Sequence, residues 1–97
     1  MKFLYSDHFL VQVKKRRISK KLAKTICLKS TAVYSDAISG HEVAVKRIKH
    51  AGRMKDFMVS YDIIGEEITL ITSYPLRKGE VEAKVKKGRW VKKDEKN

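Results

Sequence analysis

Residues 6–19 read SDHFLVQVKKRRIS, and this stretch organises the first part of the chain. Ser6 is a favourable helix N-cap, and Asp7 follows in the first turn, where a negative charge stabilises the helix dipole. Ser19 is a second favourable N-cap directly after Ile18. The apolar residues at helical spacing between the two caps are Phe9, Leu10 and Val13. The stretch therefore predicts two helices joined by a tight corner.

The second helix continues from Ser19, and its apolar stripe consists of Leu22, Ala23, Ile26 and Cys27. From Thr31 onwards the apolar period changes to two, which indicates β-strands. The strands are predicted over residues 32–37, 41–49, 57–63 and 68–74, followed by a short helix over 80–87. Residues 1–5 are compatible with a further short strand. The predicted core comprises Phe9, Val13, Leu22, Ile26, Val59, Tyr61 and Leu70, with Ile68 or Ile71.

This order of elements predicts the α+β class: two N-terminal helices packed on an antiparallel meander sheet of about four strands, with a short C-terminal helix. A chain of 97 residues, of which 42% are hydrophobic, predicts a single globular domain. We expect it to span residues 1–93, with a frayed tail over 94–97. No stretch has the apolar length of a membrane span or of a secretion signal, so a cytoplasmic protein without a membrane partner is expected.

The formal net charge of +12 indicates a polyanionic partner, of which nucleic acid is the commonest. A single cysteine, Cys27, excludes an internal disulfide and fits a reducing compartment. Cys27 lies on the apolar side of its helix, where it is either a small buried residue or a reactive thiol. The histidines, the cysteine and the scattered acids lack metal-ligand spacing, so no metal site and no cofactor are predicted.

The Ser6-Asp7-His8 start and the Arg16-Arg17-Ile18-Ser19 corner resemble the RelE/ParE toxin superfamily, and within it the BrnT-like branch. These domains often open with Ser-x-His and turn between their first helices at Arg-Gly-Ile-Ser. Two positions depart from that pattern, since Arg17 replaces the usual glycine and Gln12 stands where arginine is frequent. The resemblance covers about residues 4 to 90.

The resemblance implies a toxin of a toxin–antitoxin pair: a metal-independent endoribonuclease that acts on RNA, free or on the ribosome, and that a small antitoxin protein neutralises. ParE-like relatives instead inhibit DNA gyrase. A third interpretation is a non-catalytic basic module that binds RNA or a protein. The oligomeric state is left open.

Cleavage through the ribose 2′-hydroxyl needs an acid, a base and cations that stabilise the phosphorane. His8 is the candidate base, because the positive end of its helix favours the neutral imidazole. Its alternative role is structural, at the helix start. The resemblance adds Arg47, Tyr74 and Arg77 as further catalytic candidates.

Clusters of cations make up the candidate nucleic-acid-binding residues, which are Lys14, Lys15, Arg16, Arg17, Lys20, Lys78 and Arg89, together with Trp90. A continuous positive face can bind phosphates or can simply be solvated. The rings of Tyr74 and Trp90 either stack on bases or pack in the core.

Overall fold

The computed structural model describes residues 2–16 and 18–93, and of Arg16 it describes the backbone only. The elements in chain order are β1 (Lys2–Tyr5), α1 (Asp7–Arg16), α2 (Lys20–Lys29), β2 (Ala32–Asp36), β3 (Glu42–His50), β4 (Arg53–Ile64), β5 (Glu67–Pro75), α3 (Glu80–Lys86) and β6 (Trp90–Lys92). The predicted α+β class is confirmed. The predicted frayed tail lies outside the described residues.

The six strands form one sheet in the order β1-β5-β4-β3-β2-β6. The meander from β2 to β5 is antiparallel, as predicted, and β6 also pairs antiparallel with β2. The prediction of about four antiparallel strands is incomplete, because β6 adds an edge and β1 pairs parallel with β5. The possible short strand over residues 1–5 is confirmed as β1, but its parallel pairing with β5 was not predicted. β6 is a strand of three residues whose partner is distant in sequence, so local periodicity does not reveal it.

One face of the sheet, here called the helix face, is covered by α1 and α2. Its buried apolar cluster comprises Phe9, Ile18, Ala23, Ile26, Ala44, Phe57, Val59, Tyr61, Ile68 and Leu70. Ser73, which pairs with Val59, is also buried on this face. Val13 and Leu22 are partly buried against this cluster. The predicted core is therefore largely confirmed. Ile18 seals the corner between the two helices and is 2% exposed.

The opposite face, here called the α3 face, carries a second core that the sequence did not predict. It contains Tyr34, Val43, Val45, Met58 and Trp90. The indole ring of Trp90 lies 5.7 Å from the ring of Tyr34, centroid to centroid. Because α3 and the side chain of Trp90 cover this face, β4 is buried on both sides between Phe57 and Tyr61.

A β-bulge in β5 is held by α1. Pairing with β4 shifts between Ser60 and Tyr61, so that Ile71 has no direct partner on β4. The hydroxyl of Ser6 donates to the carbonyl oxygen of Ile71 at 2.9 Å and accepts from the backbone N–H of Phe9 at 3.0 Å. Ser6 therefore caps α1, as predicted, and also satisfies a carbonyl that the bulge removes from the ladder.

Gln12 makes a second connection between α1 and the bulge. Its side-chain carbonyl oxygen accepts from the Thr72 hydroxyl and, at 3.1 Å, from the backbone N–H of Ser73. The cap and the glutamine thus attach α1 to the bulge of β5 at two points, Ser6 and Gln12, that are less than two helical turns apart. This gives Gln12 a structural role at the position where the resembling family often has arginine.

We expect Ser6→Ala to lower the free energy of unfolding by about 2–3 kcal/mol, since it removes a cap and leaves the Ile71 carbonyl unpaired. Ser19 provides a matched control, because its hydroxyl accepts a capping bond from the Leu22 N–H at 3.0 Å at an exposed site and, within residues 2–16 and 18–93, makes no bond to a strand. Ser19→Ala is expected to cost about 1 kcal/mol. Urea denaturation of both variants measures the difference, and equal losses would show that the bond to Ile71 contributes nothing.

Candidate nucleic-acid interface

Charge is separated along the strand direction of the sheet. The end at which β3 passes into β4 and β5 terminates is here called the basic end. Its cations are Arg47, Lys49, Arg53, Lys55, Arg77 and Lys78, and the strand register places them together. The acids nearby are Asp56, Glu80 and Glu82. This excess of cations makes the basic end attractive to a polyanion.

The opposite end of the sheet carries acids that are mostly paired. Asp62 Oδ1 lies 2.7 Å from His41 Nδ1, and Glu42 Oε1 lies 2.8 Å from the Nζ of Lys93. Because these ion pairs largely cancel, the net positive charge of the molecule is concentrated elsewhere, at the basic end and along the helices.

A groove on the α3 face, here called the α3 groove, opens at the basic end between α3 and the β3–β4 hairpin. Its volume is about 760 Å³, and its charged lining residues are Arg47, Lys55, Asp56, Arg77, Lys78 and Glu82. Arg47 Nη1 lies 3.4 Å from Asp56 Oδ1, and both side chains are exposed. Such an exposed pair is weak, so the Arg47 guanidinium can exchange Asp56 for a phosphate at little cost.

A second groove, here called the tyrosine groove, adjoins the first along the loop from Arg77 to Gly79. Its volume is about 510 Å³, and it is lined by Tyr74, Pro75 and the start of α3. The backbone N–H of Arg77 donates to Glu80 Oε1 at 2.9 Å, which holds the loop against α3 while leaving the guanidinium exposed. The structure thus brings Arg47, Tyr74 and Arg77 together around one continuous surface.

A third groove, here called the corner groove, lies at the same end on the helix face. Its volume is about 270 Å³, and its lining residues are Ile18, His50, Lys55, Phe57 and Pro75. Since Ile18 belongs to the α1–α2 corner, this groove places the helix corner beside the basic end. Neither Lys55 nor His50 was identified from the sequence as a site residue.

The predicted cations of the first helices are distributed over two places. Lys14 and Lys15 are exposed near the end of α1, within one helical turn of the corner. Lys20 instead places its Nζ 4.8 Å from the ring centroid of Tyr5, a cation–π contact against β1. Arg17 and the side chain of Arg16 lie outside the described part of the structure.

Arg89 and Trp90 lie away from the basic end. Trp90 is 1% exposed in the α3-face core, and the Lys84 Nζ lies 5.0 Å from its ring centroid, so neither ring face is open to a base. Arg89 Nε donates to Asp36 Oδ1 at 2.9 Å. The guanidinium is therefore already paired with a carboxylate, and it joins the start of β6 to the end of β2.

Asp36 is the acceptor at the centre of that junction. Burial alone would raise the pKa of its carboxyl, but hydrogen bonds from Arg89 and from the backbone N–H groups of Ser39 and Ile38 outweigh it. The pKa of Asp36 consequently lies well below its usual range. A carboxylate so firmly ionised and bonded has a structural role, which the sequence did not suggest.

His8 lies in the first turn of α1, where its side chain is exposed to solvent, and it lines none of the three grooves. The structure therefore separates it from Arg47, Tyr74 and Arg77. His50 is the histidine at the basic end within the described ranges. Its ring contacts Phe57 edge-on at a centroid distance of 5.2 Å, which fixes its orientation.

Cys27 is half-buried against the helix-face core, and burial raises the pKa of its thiol to about 11. The thiol is therefore protonated and unreactive at neutral pH, which favours the structural interpretation of this residue. Among the residues that the structure describes, no three histidine, cysteine or acidic side chains are grouped as metal ligands would be. None of the described helices has the length and apolar character of a membrane span.

Comparison of the chain with models of known protein families, with curated proteins and with solved structures finds no match. A function for this protein is therefore inferred from the residues at the basic end of the sheet.

Proposed function

We propose that this protein binds RNA at the basic end of its sheet. The observation that carries the proposal is the convergence of Arg47, Lys55 and Arg77 on the α3 groove. Exposed guanidinium groups match the geometry of phosphate oxygens, and several cations around one groove bind a phosphodiester backbone better than scattered charges do.

The neighbouring tyrosine groove supports nucleic acid over other polyanions. Tyr74, which is partly buried against the α3-face core, lies beside the same loop that carries Arg77 and Lys78. An aromatic ring flanked by cations is the arrangement with which single-stranded nucleic acids are bound, by base stacking and phosphate contacts. Lys14 and Lys15, at the adjoining helix corner, extend the positive surface along a longer strand.

Fluorescence anisotropy with a labelled single-stranded RNA tests the proposal. We expect the affinity to fall steeply with salt, and the double variant Arg47→Ala, Arg77→Ala to reduce the salt slope by about 0.7 for each lost phosphate contact. The control is Lys2→Ala, Lys92→Ala, which removes two exposed cations that line neither the α3 groove nor the tyrosine groove.

Equal losses in the two double variants would show that net charge, and not the basic end, determines binding. Equal affinity for single-stranded DNA of the same sequence would overturn the assignment to RNA. A preference for RNA that disappears in the Arg47→Ala, Arg77→Ala variant supports it.

A second candidate function is metal-independent cleavage of that RNA by a toxin with a cognate antitoxin. The specific observation in its favour is that three of the four residues that the family resemblance supplied, Arg47, Tyr74 and Arg77, line adjoining grooves. The fourth, Arg89, is paired with Asp36 instead. The two guanidinium groups would stabilise the charge of a phosphorane between them. The placement of His8 gives this candidate no support.

A further inference from the structure

The corner groove has the composition of a site for a flat, partly apolar ligand. The side chains of Ile18, Phe57 and Pro75 form its apolar part, while His50 and Lys55 supply polar groups. Ligand sites commonly combine an apolar surface with a few polar groups that orient the ligand. A nucleobase followed by its phosphate has the same combination of properties.

The corner groove and the α3 groove share two lining residues although they lie on opposite faces of the sheet. Lys55 and Pro75 line both. β5 ends at Pro75, which pairs with Phe57 on β4. Beyond this pair the sheet consists only of the β3–β4 hairpin, which is two strands wide. A flexible chain can therefore pass from one groove to the other around the end of the sheet.

We propose that the corner groove is a second nucleotide site, occupied by the nucleotide adjacent to one whose phosphate is bound in the α3 groove. This inference rests on the proposed RNA-binding function. The base packs on Pro75 and against the exposed part of the His50 imidazole, which its contact with Phe57 holds in place. The Lys55 ammonium contacts the phosphate that joins the two nucleotides.

The position of the two grooves selects single-stranded RNA as the ligand. An RNA duplex is stiff and presents one side at a time, so it can contact the α3 face or the helix face but cannot turn around the sheet end. A single strand has unstacked bases and a flexible backbone, and it can occupy both grooves at once.

The test measures anisotropy with labelled oligouridylates of four and ten nucleotides and with a ten-base-pair RNA duplex. We expect His50→Ala to weaken binding of the ten-nucleotide strand by about tenfold, as for the loss of one stacked base. Lys55→Ala is expected to weaken it as well and to lower the salt slope by about 0.7, as for the loss of one phosphate contact. Lys2→Ala is the matched lysine control and is expected to retain wild-type affinity. The duplex is expected to bind more weakly than the single strand.

Several outcomes separate this inference from the proposed function. Wild-type affinity in both His50→Ala and Lys55→Ala, with loss of binding in Arg47→Ala, Arg77→Ala, would overturn the corner site and leave RNA binding intact. A duplex that binds as tightly as the single strand would also overturn it. If RNA binding is unchanged in all of these variants, including Arg47→Ala, Arg77→Ala, both proposals are refuted. Melting temperatures of the variants show whether His50→Ala acts through its contact with Phe57. Lys55 also lines the α3 groove, so a loss in Lys55→Ala supports the corner groove only when His50→Ala, at an unchanged melting temperature, weakens binding as well.

Discussion

Leu70→Asp is expected to unfold the protein. Leu70 is 0% exposed and lies on β5 between Tyr5 of β1 and Tyr61 of β4, beneath α1. A carboxylate at this position has no cation within the helix-face core, and an unpaired buried charge costs about 3–5 kcal/mol or more. The lost packing of the leucine side chain adds about 2–5 kcal/mol. Together these losses approach or exceed the usual total stability of about 5–15 kcal/mol.

The measurement is far-ultraviolet circular dichroism with urea titration at neutral pH. Ile64→Asp is the matched control, because it makes the same kind of change at a side chain that is 75% exposed. It is expected to change the free energy of unfolding by no more than about 0.5 kcal/mol. A folded Leu70→Asp variant with a cooperative transition near that of the wild type would mean that the helix-face core is not packed as described.

The helix-face core was predictable because its signals are local. Ser6 and Ser19 both cap their helices through hydrogen bonds to backbone N–H groups three residues later. The alternation of Phe57, Val59 and Tyr61 placed these three side chains on one face of β4. In each case a residue type, together with a spacing of two to four positions, is enough to predict the helix start or the buried face of the strand.

The α3-face core was not predictable in the same way. Met58 and Ser60 alternate with the apolar residues of β4, which is typical of a solvated face, yet both are buried. This face is covered by the Trp90 side chain of β6 and by Val81 of α3. β6 has only three residues and pairs with β2 more than fifty positions earlier. A strand so short has no period of its own, and Trp90 fitted base stacking equally well.

The candidate site was predicted in part for a similar reason. The family resemblance supplied Arg47, Tyr74 and Arg77, and their positions near strand ends bring them to the same end of the sheet. Lys55 was missed because its importance arises only where two grooves meet. His8 and Arg89 were selected for their chemistry, but the structure places both away from the basic end. His8 is held there by its position in α1, and Arg89 by its ion pair with Asp36.

Arg77→Ala is expected to lower the rate of RNA cleavage by about 10²-fold if the protein is the proposed metal-independent ribonuclease, with little loss of stability. In that reaction the ribose 2′-oxygen attacks the adjacent phosphorus and the bond from phosphorus to the 5′-oxygen breaks. The 2′-hydroxyl proton passes to a base and the 5′-oxygen receives one from an acid, which yields a 2′,3′-cyclic phosphate and a 5′-hydroxyl. The Arg77 guanidinium is exposed beside both the α3 groove and the tyrosine groove, where it can contact the phosphorane oxygens.

Single-turnover cleavage with excess protein, free and with translating ribosomes, measures this rate. Activity is expected to persist with a chelator and to be abolished by a 2′-deoxy nucleotide at the scissile position, because that substrate has no attacking oxygen. Lys2→Ala is expected to cleave at the wild-type rate. Intact RNA after long incubation with the wild-type protein would refute cleavage and leave RNA binding as the function.

His8→Ala, assayed beside Arg77→Ala, distinguishes the two arrangements of the catalytic groups. Because His8 lies outside the grooves, its substitution is expected to change the cleavage rate by less than about threefold, whereas loss of a general base costs about 10²-fold or more. The melting temperature is also expected to stay near that of the wild type, since Ser6 and not His8 caps α1. A 10²-fold loss in His8→Ala at unchanged melting temperature would instead identify His8 as the base, and the RNA path would then have to cross α1.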